Sequence, residues 1–218
     1  MLIDLFLNHK KSLIHKYEHH IRVYDEIFAP FRGKPVCVLE IGVAQGGSLQ
    51  LWRDYFGPDA RIMGIDVQGS FGHLVKDNIE VIIGNAADPG LHKGLKERLG
   101  QIDILIDDGS HECPDQIAAF EGFFPFISDG GLYVCEDIHT SYRWTHHGGY
   151  KKKGSFIEYM KDLVDYFHVK EFKLDPDVEI PDLVNWIESI TFYRGLLAVK
   201  KDVNAFRVNS PLMIEGRE

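Results

Sequence analysis

The sequence predicts an α/β fold, a doubly wound and mostly parallel sheet with helices on both faces, and three observations carry that prediction. Short apolar runs alternate with helix-length segments from residue 36 to residue 135. The runs are apolar nearly throughout rather than alternating, as strands must be when both faces are covered. A glycine-rich turn, Gly42 to Ser48, follows the first run, where a parallel sheet commonly receives a ligand.

The elements follow in order. Residues 3–29 are predicted mainly helical, because Leu13, Ile14, Tyr17, Ile21, Tyr24, Ile27 and Phe28 recur at three- and four-residue steps. Pro30, Gly33 and Pro35 end that helix. Strands are expected at 36–41, 61–66, 79–83, 102–106 and 132–135, and helices at 48–55, 91–99, 114–126 and 156–166. Residues 189–193 and 196–200 flank Arg194-Gly195 and read as a closing β-hairpin. Residues 1–34 are thus an N-terminal helical segment, a lid or a contact in a homo-oligomer, ahead of one domain over 35–218.

Composition narrows the function. A chain of 218 residues that is 44% apolar can bury a sizeable core. Its net charge of -9 argues against nucleic acid as a partner. No apolar run is long enough to cross a membrane, and the start, Met-Leu-Ile-Asp-Leu-Phe-Leu-Asn, has no basic leader. Three cysteines, Cys37, Cys113 and Cys135, do not form a disulfide framework, so a reducing, cytoplasmic setting is expected. A zinc site from His111, Cys113 and Cys135 lacks the usual ligand spacing.

The chemistry concentrates at two predicted strand ends. Asp107-Asp108-Gly109-Ser110-His111 follows the strand at 102–106, and Glu136-Asp137 follows that at 132–135. Carboxylates clustered at such ends suit a cation that prefers oxygen ligands, with an imidazole beside it as a base, and this points to an enzyme. Asp107 is expected either to cap the next helix or to touch a cofactor.

The turn after the first strand selects the cofactor. Gly42, Gly46 and Gly47 do not make the Gly-x-Gly-x-x-Gly of a dinucleotide site. Glu40 suits an ammonium better than a phosphate, Asp66 is placed for ribose hydroxyls, and the helix start at Ser48 offers unpaired N–H groups. S-adenosylmethionine satisfies all three. Asp88 is expected near its adenine or at the cap of the following helix. The stretch 139–150, with Tyr142, Trp144, Tyr150 and a Gly148-Gly149 hinge, reads as a lid able to stack on a sugar or aromatic ring.

Val38-Leu39-Glu40-Ile41-Gly42, Gly46-Gly47-Ser48-Leu49, Gly64-Ile65-Asp66, Ile106-Asp107-Asp108-Gly109-Ser110-His111 and Gly130 to Asp137 resemble class I S-adenosylmethionine-dependent methyltransferases of the macrolide-sugar O-methyltransferase and cephalosporin-hydroxylase-like type. The resemblance implies a seven-stranded sheet with a C-terminal antiparallel hairpin, S-adenosylmethionine as donor and Mg2+ as cation. It implies Asp108, Glu136 and Asp137 as metal ligands and His111 as base. The function expected is O-methylation of a sugar or other small hydroxylated natural-product-like acceptor. A metal-dependent hydroxylase, or a non-catalytic cofactor-binding module, is the alternative; a cluster this rich in carboxylate does not suit a two-histidine iron site.

Overall fold

A computed structural model describes residues 1–172 and 177–205; the remainder of the domain expected over 35–218 lies outside the described residues. Seven strands form one sheet: β1 (Cys37–Ile41), β2 (Arg61–Asp66), β3 (Ile79–Ile83), β4 (Ile102–Asp107), β5 (Ile127–Glu136), β6 (Ile187–Tyr193) and β7 (Leu196–Lys201). Their order is β3-β2-β1-β4-β5-β7-β6. β1 to β5 run parallel, and β7 is antiparallel to both β5 and β6. The predicted sheet and its closing hairpin are therefore both present. The order reverses between β1 and β4, and the crevice outside the carboxyl ends of those two strands is where such a sheet binds ligands.

Helices α3 (Gly47–Phe56), α4 (Pro89–Leu99), α5 (Cys113–Phe123) and α6 (Phe156–Phe172) make the crossovers and the outer layers. Strand parity divides the core into two. Leu39 and Ile41 of β1, Leu105 of β4, and Tyr133 and Cys135 of β5 face Phe120, Phe123 and Phe156 of α5 and α6. Val38, Ile104, Ile106, Leu132 and Val134 face the other way, onto Trp52 and Phe56 of α3 and onto Ile21, Tyr24 and Phe28. Those last three residues belong to the N-terminal segment, so residues 1–34 are packed against the sheet.

That segment differs from the single helix expected over 3–29. Helix α1 (Leu2–Leu7) ends at Asn8, and α2 (Glu18–Phe28) begins only after Tyr17. The periodic stripe holds in α2, where Ile21, Tyr24 and Phe28 are fully buried. It fails upstream, because Leu13 and Tyr17 face solvent. Residues 9–17 instead have no regular structure and pass over the carboxyl end of the sheet as a strap. Close backbone approach fixes its course: a Cβ on Gly47 would lie 2.2 Å from the Leu13 carbonyl oxygen. The Ser12 N–H also donates to Gln50 Oε1 at 2.9 Å.

Candidate active site

The turn after β1 is built from left-handed glycine. Gly42 has φ +87, and a Cβ there would sit 2.1 Å from the Asp108 carbonyl oxygen, so only glycine lets β1 and β4 end side by side. Asp66, at the end of β2, organises the same turn: its Oδ2 accepts the Val43 N–H at 2.9 Å and the Ala44 N–H at 3.2 Å. Gly42 to Gln45, Ser48 and Asp66 line a cavity of about 810 Å³. Asp108, His111, Glu136 and Asp137 line the same cavity, and the strap closes it with Leu13 to Tyr17. A smaller pocket of about 280 Å³ opens beside it, lined by Ile65, Val67, Ala86, Ala87 and Asp107.

Parity decides where the acids point. Asp107 has the same parity as Leu105 and turns toward α5, where it is buried and accepts the Tyr133 hydroxyl at 2.7 Å. Burial raises its pKa to about 6, against the opposing hydrogen bonds from Tyr133 and the Gly109 N–H. Glu40 and Glu136 turn the other way, toward α2 and α3.

Glu40, expected at the cofactor ammonium, is fully buried and absent from the lining of either pocket. Its Oε2 accepts the Ser48 hydroxyl at 2.7 Å and the Trp52 indole N–H at 3.1 Å. Its Oε1 lies 3.0 Å from Lys16 Nζ. Ser48 lines the cavity, but its hydroxyl proton is committed to Glu40. Asp88 takes the second of its two expected places: its exposed Oδ1 accepts the Gly90 N–H at 2.8 Å and caps α4, outside both pockets.

The proposed metal ligands fall into two overlapping groups. Asp108, His111 and Asp137 present ligand atoms within 4.8 Å of one another, as do Glu40, Asp108 and Glu136. His111 Nε2 stands 3.6 Å from Asp137 Oδ2 and 3.9 Å from Asp108 Oδ1. Asp137 Oδ1 is buried with no hydrogen-bond donor. His111 and Asp137 both hold left-handed backbone, φ +59 and +52, a conformation unfavourable for residues with a side chain and typical of functional loops. Burial lowers the His111 pKa below its ordinary 6.5, although Asp137 and Glu136 oppose the shift, so the ring is neutral at pH 7.

Glu136 is already saturated. Its Oε1 accepts Lys16 Nζ and the Tyr24 hydroxyl, the latter at 2.6 Å, while His20 Nδ1 lies 3.2 Å from Oε2. Burial alone would raise its pKa; the Lys16 charge and the hydrogen bonds from His20, Lys16 and Tyr24 outweigh that and carry it down to about 2. Lys16 also donates to Asp108 Oδ2 at 2.9 Å, and its side chain is 1% exposed. One ammonium thus serves three carboxylates. Burial raises the pKa of Asp108 and Glu40 despite it.

Sequence reasoning did not find Lys16, His20 or Tyr24. Tyr24 was counted as part of an apolar stripe, and Lys16 is one of 24 basic residues with no motif around it. The usable signal was parity: Ile106 pairs with Val134, so Asp108 and Glu136 sit in register two residues on, and two acids side by side with one of them buried call for a cation.

Residues 39–138 match the family model of a methyltransferase domain. Over that stretch the chain is similar to a methyltransferase domain. It is 34% identical over 214 residues to the 8-demethyl-8-alpha-L-rhamnosyl tetracenomycin-C 2'-O-methyltransferase of Streptomyces olivaceus, covering 94% of this chain and 55% of that protein. It is 31% identical over 214 residues to the mycinamicin VI 2''-O-methyltransferase of Micromonospora griseorubida, covering 93% and 52%. Among solved structures, the MycE methyltransferase from the mycinamycin biosynthetic pathway, in complex with Mg and SAH, matches with a TM-score of 0.79 at 30% identity, over 92% of this chain and 53% of that one. The chain spans about half the length of these relatives. The family match contains the turn after β1 and the acids of the mouth but leaves out Lys16, His20 and Tyr24.

Proposed function

We propose that this chain transfers a methyl group from S-adenosylmethionine to a hydroxyl of a sugar-bearing or similar small acceptor, with Mg2+ at the acidic mouth. The observation that carries the reading is the single cavity of about 810 Å³ that joins the turn after β1 and Asp66 to Asp108, His111 and Asp137. Its size is within the range of small-molecule sites. The adjoining pocket beside Ile65, Val67, Ala86 and Ala87 offers an apolar slot for a flat base, and Asp66 stands between the two spaces.

The residues present fit the cation. Asp108 and Asp137 are hard oxygen donors, and the buried Oδ1 of Asp137 accepts no hydrogen bond, His139 Nδ1 standing 3.7 Å away, so a cation would satisfy it. Glu136 stands beside them, engaged by Lys16, Tyr24 and His20. When bound, the cofactor supplies an electrophilic methyl and Mg2+ polarises the acceptor hydroxyl. The chain's own part is to orient that hydroxyl and receive its proton. His111, neutral at pH 7 and on the cavity wall, is the group able to accept it. Exposed Trp144 and Tyr150, beyond the metal loop, provide aromatic faces suited to a glycosylated apolar acceptor.

The deciding experiment is calorimetry with S-adenosylmethionine, with and without Mg2+, followed by a labelled-methyl screen of glycosylated acceptors. Cofactor binding with chelator-sensitive transfer is expected, and Asp137→Asn should lose transfer while keeping the cofactor. No binding of S-adenosylmethionine would overturn the reading; transfer that survives chelation would overturn the role of Mg2+.

A further inference from the structure

Lys16 occupies one of the two overlapping ligand groups, that of Glu40, Asp108 and Glu136. Its ammonium contacts Glu40, Asp108 and Glu136, and it is the charged group nearest to all three. Both Glu136 oxygens are engaged, one by Lys16 and Tyr24 and the other by His20. One oxygen of Asp108 is taken as well. A divalent cation shared by Asp108 and Glu136 would stand next to that ammonium in a buried site, where like charges repel strongly.

The backbone that carries Lys16 belongs to no helix or strand. Residues 9–17 lie between α1 and α2 without regular structure. Leu13 and Tyr17, on either side of Lys16, are 64% and 53% exposed. Its other ties are the Ser12 N–H to Gln50, the backbone of Leu13 against Gly47, half-buried Ile14 packed on the core, the Tyr17 carbonyl oxygen that accepts the first N–H groups of α2, and an exposed Lys11–Asp54 pair. Exposed pairs of that kind contribute little. The buried ammonium is the charged anchor of the strap that walls the cavity.

We propose that Lys16 is a tethered competitor for the cation site: the divalent cation and the Lys16 ammonium take Asp108 and Glu136 in turn, and loading the cation releases residues 13–17 from the mouth of the cavity. The inference rests on the reading of Asp108, Glu136 and Asp137 as cation ligands. It makes Lys16 a positioning residue that sets cation affinity and access together. A lysine with a purely structural role would not weaken cation binding.

Two measurements on the whole chain test it. In Mg2+ calorimetry, Lys16→Met should bind at least ten-fold more tightly than the unaltered protein. In acetic anhydride footprinting of the unaltered protein, Lys16 should be protected without Mg2+ and gain at least ten-fold in labelling at saturating Mg2+, while exposed Lys11 stays constant. Equal or weaker Mg2+ binding by a folded Lys16→Met protein overturns the competition and leaves the metal reading standing. Absence of Mg2+ binding in both proteins overturns the metal reading and this inference together. If Lys16→Met fails to fold, the footprint decides: a Lys16 that stays protected with Mg2+ bound ends the proposal.

Discussion

The Thr140 hydroxyl lies 2.9 Å from the carbonyl oxygen of His111, 29 residues earlier in the chain. It is also 2.8 Å from the carbonyl oxygen of Asp137, so one side chain ties the two loops that carry the base and the last acid. Thr140→Val keeps the shape and removes the tie. The expected result is a loss of about 1–3 kcal/mol in denaturant unfolding. Turnover should fall by roughly 10- to 100-fold through misplacement of His111. Thr140→Ser should restore most of both.

Gly42→Ala places a methyl group against the Asp108 carbonyl oxygen on left-handed backbone. Either the turn after β1 or the end of β4 must move. Thermal unfolding should show a loss of about 2–4 kcal/mol, the range for strain at a special backbone position. Cofactor affinity should drop in the same variant, since the displaced turn is the cavity wall. Normal stability would mean that the two strand ends separate freely.

Asp107 makes stability depend on pH. Its carboxyl has a pKa of about 6 when folded, against 3.8 for the free side chain, so the folded state holds a proton that the unfolded chain has released. The contribution is fully present below pH 3.8 and is lost as pH rises through 6. Asp107→Asn should therefore stabilise the protein at pH 7 by roughly 2–3 kcal/mol and flatten the stability profile between pH 4 and 6. Urea denaturation at pH 4, 5, 6 and 7 measures this. An unchanged slope would show that Asp107 does not titrate there.

His111→Ala should slow the chemical step by about 10²–10⁴, the usual share of a general base, with cofactor affinity retained. Because burial lowers the His111 pKa, the acid limb of the pH–rate profile should have its midpoint below 6.5. The rate is then full at neutral pH and falls as the ring gains a proton. A midpoint above 6.5, or an unchanged rate in the variant, would assign the base elsewhere.

Most of the sheet was legible because its signals are local. The apolar runs of β1 to β4 and the Arg194-Gly195 turn mark their own boundaries, and Asp108, His111 and Asp137 follow directly from strand ends. What escaped depends on tertiary placement. The spacing of Leu13, Ile14 and Tyr17 suits a helix, yet close contact of the strap backbone with Gly47 holds that stretch out of regular structure. Glu40 lies in the expected segment, but Ser48, Trp52 and Lys16 take its carboxylate and cover it from the cavity. Asp88 had two local readings, and only the hydrogen bond to Gly90 separates them.

The contacts of Lys16 and Tyr24 also bear on the order of folding. Lys16 reaches residues 92 and 120 positions away, and Tyr24 reaches one 112 positions away. Such distant pairings form late, after the loops between them have closed. During synthesis the first 24 residues emerge long before Glu136 exists to receive them. The acidic mouth is thus expected to mature after the strands it caps have paired, so that a chain with a native sheet can still carry three carboxylates without their ammonium.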